Sequence, residues 1–173
     1  DKVAPQVTVS YDNNSVENDN YYNQDRTATI TVNEHNFNAG DVVCNVTSTG
    51  ATPTLSSWST SGDTHTATIA YSEDAKYSFS FDYTDMAGNK CNTVPIDEFY
   101  VDKTAPKITL DGVNYHSANN GDVVGFTLTA TDDNGDSNTF ETKLQKVELN
   151  GKNKDITHLY EADTSNGNEM KYT

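Results

Sequence analysis

A short phrase occurs twice in this chain, and that repeat limits the possible folds more than any other feature. Asp1-Lys2-Val3-Ala4-Pro5-Gln6-Val7-Thr8-Val9 returns as Asp102-Lys103-Thr104-Ala105-Pro106-Lys107-Ile108-Thr109-Leu110, 101 residues further on. Downstream, Thr29-Ile30-Thr31-Val32-Asn33-Glu34-His35-Asn36 is echoed by Thr127-Leu128-Thr129-Ala130-Thr131-Asp132-Asp133-Asn134, a shift of 98 residues. Two matches in the same order, with a slip of only three residues, predict tandem modules. The boundary falls near Asp102, giving modules over 1–102 and 103–173. Each Ala-Pro joint contains no Gly, and its Pro fixes φ and holds the preceding Ala extended. The joint is therefore expected to be short and stiff, with the modules end to end.

Both modules read as strands. Val7 and Val9 alternate with Thr8 and Ser10, and Ala28, Ile30 and Val32 with Thr27, Thr29 and Thr31. Val42, Cys44 and Val46 follow, then Ala67, Ile69 and Tyr71, then Tyr77, Phe79, Phe81 and Tyr83, and finally Phe99 and Val101. Period-two alternation broken by Asn, Asp, Gly and Ser clusters indicates half-buried antiparallel strands. About seven such strands in about 100 residues fit an immunoglobulin-like β-sandwich, so the fold class is all-β. In the second module, strands are expected near 107–110 and 125–131. Another is expected at 147–149, running into the Asn150-Gly151 turn, although Phe140, Leu144 and Val147 would also line one helical face. After Tyr160 the text turns polar, and no counterpart of the Tyr77–Tyr83 strand follows, so the second sandwich is expected to be incomplete.

The formal charge of −15, from 26 acidic and 11 basic residues, argues against nucleic acid as a partner, since there is no basic stripe to displace phosphate counterions. No apolar run is long enough for a membrane span, and no signal peptide opens the chain. Catalytic motifs are lacking too: there is no Gly-x-Ser-x-Gly elbow, no His-Glu-x-x-His and no phosphate loop. The chain is read as not an enzyme.

Three features resemble tandem bacterial immunoglobulin-like domains of cell-surface and adhesin proteins. They are the repeated Asp-Lys-x-Ala-Pro opening, the run Glu73-Asp74-Ala75-Lys76-Tyr77-Ser78-Phe79, and Tyr83-Thr84-Asp85-Met86-Ala87-Gly88-Asn89 followed by Phe99-Tyr100-Val101-Asp102. The resemblance implies a secreted or wall-attached, non-catalytic stalk or adhesion module, a monomer within a longer multidomain chain. It would space or present a binding region for a surface or glycan partner. The alternative is an accessory, carbohydrate-contacting module of an extracellular polysaccharide-degrading enzyme. The resemblance also implies Ca²⁺ near domain junctions in some members.

The residues themselves allow a closer reading. Tyr77 has the spacing of a tyrosine corner, whose hydroxyl bonds back to the preceding turn; a plain core tyrosine is the other reading. Phe79 stands where the second cysteine of an immunoglobulin pin would be. Cys44 is on the inward face of its strand, so Cys44 and Cys91 are either a disulfide or buried thiols. Calcium needs six to eight hard oxygens. At one end of a sandwich the first module would gather Asp1, Glu34, Asp85 and Asn89, and the second Asp102, Asp132 and Asp133. Solvated charge is the alternative for each. Trp58, and the Tyr21-Tyr22 pair, raise a carbohydrate contact, against which stands a Trp that caps the core edge.

Overall fold

The computed structural model describes residues 2–17, 19–111 and 127–132, together with the backbone of 148–149, 154–155, 162–166 and 169–172. The chain divides into two units, Asp1–Lys103 and Thr104–Thr173. The division falls one residue beyond the boundary expected from the repeated phrase.

In the first unit, β1 (Gln6–Tyr11), β3 (Arg26–Asn33), β6 (Thr64–Tyr71) and β5 (Ser59–Ser61) form an antiparallel sheet in the order β1-β3-β6-β5. A second sheet has the order β2-β8-β7-β4, with β2 (Tyr21–Tyr22), β8 (Asp97–Val101), β7 (Ala75–Tyr83) and β4 (Val42–Ser48). Its pairs are antiparallel except β2 with β8, which is parallel. The alternation read from the sequence fixes the inward faces. Ala28, Ile30, Val32, Ile69 and Tyr71 from one sheet meet Tyr77, Phe79, Phe81, Tyr83, Phe99 and Val101 from the other in a single buried cluster. Tyr71 packs edge-on against Tyr77 and Phe99, at 5.0 and 4.9 Å between centroids, and so ties sheet to sheet. Such aromatic contacts add to the burial of their large apolar area.

In the second unit, β9 (Lys107–Asp111), β10 (Thr127–Thr131), β14 (Glu169–Tyr172) and β13 (Ala162–Asn166) form a sheet in the order β9-β10-β14-β13. β11 (Glu148–Leu149) and β12 (Lys154–Asp155) make a small antiparallel hairpin. Glu148–Leu149 is thus strand, as expected, whereas Phe140, Leu144, Val147 and the Asn150-Gly151 turn lie outside the described residues. Within the polar stretch after Tyr160, Ala162–Asn166 and Glu169–Tyr172 are strands, where none was expected, because strand pairing uses backbone groups and does not require apolar alternation.

One sheet of each unit has the same strand order, β1-β3-β6-β5 and β9-β10-β14-β13, and its first two strands pair in the same register. In the first, Val7 faces Val32, Thr8 faces Thr31 and Val9 faces Ile30. In the second, Ile108 faces Ala130, Thr109 faces Thr129 and Leu110 faces Leu128. These are the residues that the two sequence matches equate. The three-residue slip between the matches shortens the connection and leaves the pairing untouched.

Candidate functional site

The carboxylates singled out in the first module lie where β3 and β7 run into their loops. Asp85 follows β7 and opens the turn that ends at Asn89. Gly88 takes φ +86° there, a conformation without the steric cost that a side chain would bring. Asp85 Oδ1 accepts from the amides of Ala87 (2.9 Å) and Asn89 (2.7 Å), and Oδ2 accepts from Asn89 Nδ2 (2.8 Å). The Asn89 side-chain bond, with the two turn amides adding to it, holds the Asp85 carboxyl below the ordinary value. Glu34, also buried, accepts from the Asn36 amide through Oε1 (2.9 Å). Its backbone donates to Asp63 O and accepts from His65 Nε2. Both side chains therefore serve their own loops. An open hollow of about 280 Å³ lies between the two loops, lined by Asn36, Asp85, Met86 and Ala87.

Phe37 anchors the β3–β4 loop to the core. Its ring stacks on His65 at 4.2 Å and packs against Tyr83 at 5.3 Å and Trp58 at 4.9 Å. The Asn38 amide donates to the Tyr83 hydroxyl (3.0 Å) and closes the same loop onto β7. His65 is satisfied on both ring nitrogens, by Glu34 O and Thr60 Oγ1. Sequence reasoning missed Phe37 and His65, since a lone Phe in a loop and a lone His in a Thr-rich strand carry no spacing signal.

The remaining expected residues are spread through the unit. Trp58 packs against Phe37 and Phe81 at the edge of the core. The Tyr77 hydroxyl donates to Glu73 O at 2.8 Å, back across the turn that precedes β7. Phe79 is fully buried beside it. Cys44 and Cys91 are free thiols, half-buried and buried respectively, and burial pushes the Cys44 thiol up. Asp102, whose amide donates to Tyr22 O (2.9 Å), belongs to the first unit, and half-buried Asp132 to the second. Asp1 and Asp133 lie outside the described residues. Among the described residues, no three His, Cys, Asp or Glu side chains are grouped to hold a metal ion. Asp85 in particular has both oxygens committed to its own turn.

A buried cation lies elsewhere in the unit. Arg26, 5% exposed, opens β3, and its guanidinium lies over the rings of Tyr11 (3.6 Å), Tyr22 (4.1 Å) and Phe99 (4.4 Å). Nη1 pairs with Asp97 Oδ2 at 3.1 Å, and Nε donates to Asn13 O at 3.1 Å. Desolvation of the charge is offset by the carboxylate and by three aromatic faces. The Tyr11 hydroxyl sits beside Asp97 without hydrogen-bonding geometry; burial, then that carboxylate, raises it well above the phenol range. Tyr21 stacks on Tyr100 at 4.2 Å, so one face of its ring is covered. Known protein families, curated proteins and solved structures were compared with the chain, and none matches it.

Proposed function

We propose that this chain is a non-catalytic pair of immunoglobulin-like modules from a secreted or wall-attached bacterial surface protein, which spaces or presents a binding region. The observation that carries this reading is the shared register of β1–β3 and β9–β10, which makes the repeat one of structure as well as of text. The order β1-β3-β6-β5 against β8-β7-β4 supports the immunoglobulin-like assignment, since it is the ABED and CFG order of constant-type domains. Support for a non-catalytic role comes from the conspicuous carboxylates, Glu34 and Asp85, which close loops. The carbohydrate-contacting alternative draws less support, because the rings of Trp58 and Tyr21 pack against other aromatic side chains.

The test is a display experiment. An epitope is carried on a bacterial wall anchor through the whole chain, through residues 1–103 alone, or directly. Antibody access to the epitope is expected to rise from direct attachment to one unit and again to the whole chain. Equal access in all three would remove the spacing role.

A further inference from the structure

β1 is the outermost strand of its sheet, and one of its edges is only partly used. The Val7 amide donates to Asn92 Oδ1 at 2.6 Å, and Val7 O accepts from Asn92 Nδ2 at 2.9 Å. Both groups thus point away from β3. Backbone groups alternate in direction along an antiparallel strand, so those of Val9 point the same way. Asp12, of the opposite parity, donates to Thr27 O beyond the end of β3's partner run, as the alternation requires. Tyr11 O is taken by Asn14 Nδ2. The Val9 N–H and C=O have no partner on this side among the described residues.

They face an open groove of about 400 Å³ between β1 and the segment 92–97, lined by Val9, Tyr11, Phe79, Val94, Ile96 and Asp97 among others. A second hollow of about 370 Å³ lies on the far side of the same segment and shares Asn92, Thr93, Val94 and Ile96 with the first. The segment is therefore a thin wall. It is fixed by the Asn92–Val7 pair at one end and by the Asp97–Arg26 ion pair at the other. Thr93, Val94, Pro95 and Ile96 between them make no hydrogen bond among the described residues, and Ile96 is 68% exposed.

We propose that this groove binds an extended peptide, which adds as a strand to the free edge of β1 with an apolar side chain in the groove and basic side chains at its ends. The Asn92 carboxamide already does at Val7 what a peptide group of an added strand would do. The next such position, two residues on, is the open one at Val9. A strand supplies a donor and an acceptor at that spacing, and its alternate side chains reach the apolar lining. The charge argues for basic ends. The unit holds 15 acidic and 5 basic residues, and the carboxylate lining the groove, Asp97, keeps its side chain 38% exposed beside its partner Arg26.

The experiment titrates the full chain, ¹⁵N-labelled, with a peptide of alternating Thr and Val capped by Lys at both ends. Saturable binding is expected, with amide shifts confined to residues 7–11 and 92–97. Val9→Pro removes an N–H that β3 does not use, a change that edge strands tolerate, and should weaken binding about tenfold or more, as the loss of a strand-pairing bond predicts. A peptide N-methylated at its central Val, titrated against the unaltered chain, should lose as much, and this arm stands even if Val9→Pro unfolds. Replacing the terminal Lys by Glu should weaken binding several-fold at low salt. The proposal is overturned by no binding at millimolar peptide, by shifts elsewhere, or by affinity indifferent to N-methylation, which would mean apolar contact only. A self-associated chain whose β1 edge excludes the peptide would also overturn it, in favour of a second copy as occupant.

Discussion

Tyr77 and Asp85 bracket β7, and each fixes a turn through oxygen atoms rather than through bulk. The Tyr77 hydroxyl is buried against Glu73 O, so Tyr77→Phe keeps the ring and deletes one hydrogen bond. The loss should be about 1 kcal/mol, rising to roughly 2 where the carbonyl is left unpaired, read as a lower urea midpoint at unchanged slope. A neutral result would mean that Glu73 O is satisfied by solvent. At Asp85 the ionised form is what the turn holds, and the carboxyl lies below its ordinary value of 3.8. A depressed carboxyl contributes stability that is fully present above the ordinary value and is lost as pH falls through the folded one. Asp12, held by the Thr27 amide, and Asp82, held by Lys90, act in the same direction. Thermal melts should therefore hold steady from pH 7 to about 5 and drop below about pH 4, where carboxylates titrate. Asp85→Asn should melt lower at pH 7 and lose less on acidification. An identical acid profile in the variant would place the sensitivity elsewhere.

At the scale of elements, the sequence told buried faces from exposed ones in the strands of the first unit that have one of each, whereas in β9 the apolar Ile108 and Leu110, 64% and 51% exposed, flank the less exposed Thr109. Ala28, Ile30 and Val32 alternate with Thr and are fully buried, and Tyr77, Phe79, Phe81 and Tyr83 behave alike. Among the strands that escaped notice, Ser59–Ser61 and Ala162–Asn166 occupy equivalent outer positions in their sheets. An outer strand pairs through its backbone, and the side chains of Ser59–Ser61 are exposed on both faces, so no alternation marks it. Residues that join elements across long sequence separations were illegible for a related reason. Asn92 bridges to Val7 over 85 residues, and Arg26 reaches Asp97 over 71. A single polar residue in either segment looks like surface. Arg26 clasps β3 to β8, one strand from each sheet, and Asp97 is the anion that makes its burial tolerable. Asp97→Ala should cost about 1–2 kcal/mol, below the range for a fully buried pair because the Asp97 side chain is 38% exposed. Combining it with Arg26→Met should recover part of that loss, since no unpaired buried charge remains. Additive losses in a double-mutant cycle would show that the aromatic faces, rather than the carboxylate, hold the cation.

Across the whole molecule the dominant physical fact is charge. The first unit holds 15 acidic residues against 5 basic ones, and three of those cations are already paired: Arg26 with Asp97, Lys90 with Asp82, and Lys103 with Asp25. Screening acts on two opposed terms. It weakens exposed pairs such as Lys90–Asp82 and Lys103–Asp25, each worth a few tenths of a kcal/mol to about 1 kcal/mol. It also relieves the repulsion among unpaired carboxylates, which is spread over the whole unit and grows with the square of the net charge. The Arg26 pair is shielded from salt by its aromatic surround, so little is lost there. Repulsion is thus the larger screened term, and the melting temperature of residues 1–103 should rise as NaCl is raised from about 10 mM to about 0.5 M, where the Debye length shrinks from roughly 30 Å to a few Å. An inert osmolyte at matched water activity controls for exclusion effects. The same salt should abolish the preference for Lys-capped over Glu-capped peptides at the β1 edge while sparing the backbone pairing at Val9. A melting temperature that falls with salt would mean that the ion pairs outweigh the net repulsion, and the charge argument for a basic partner would lose its footing.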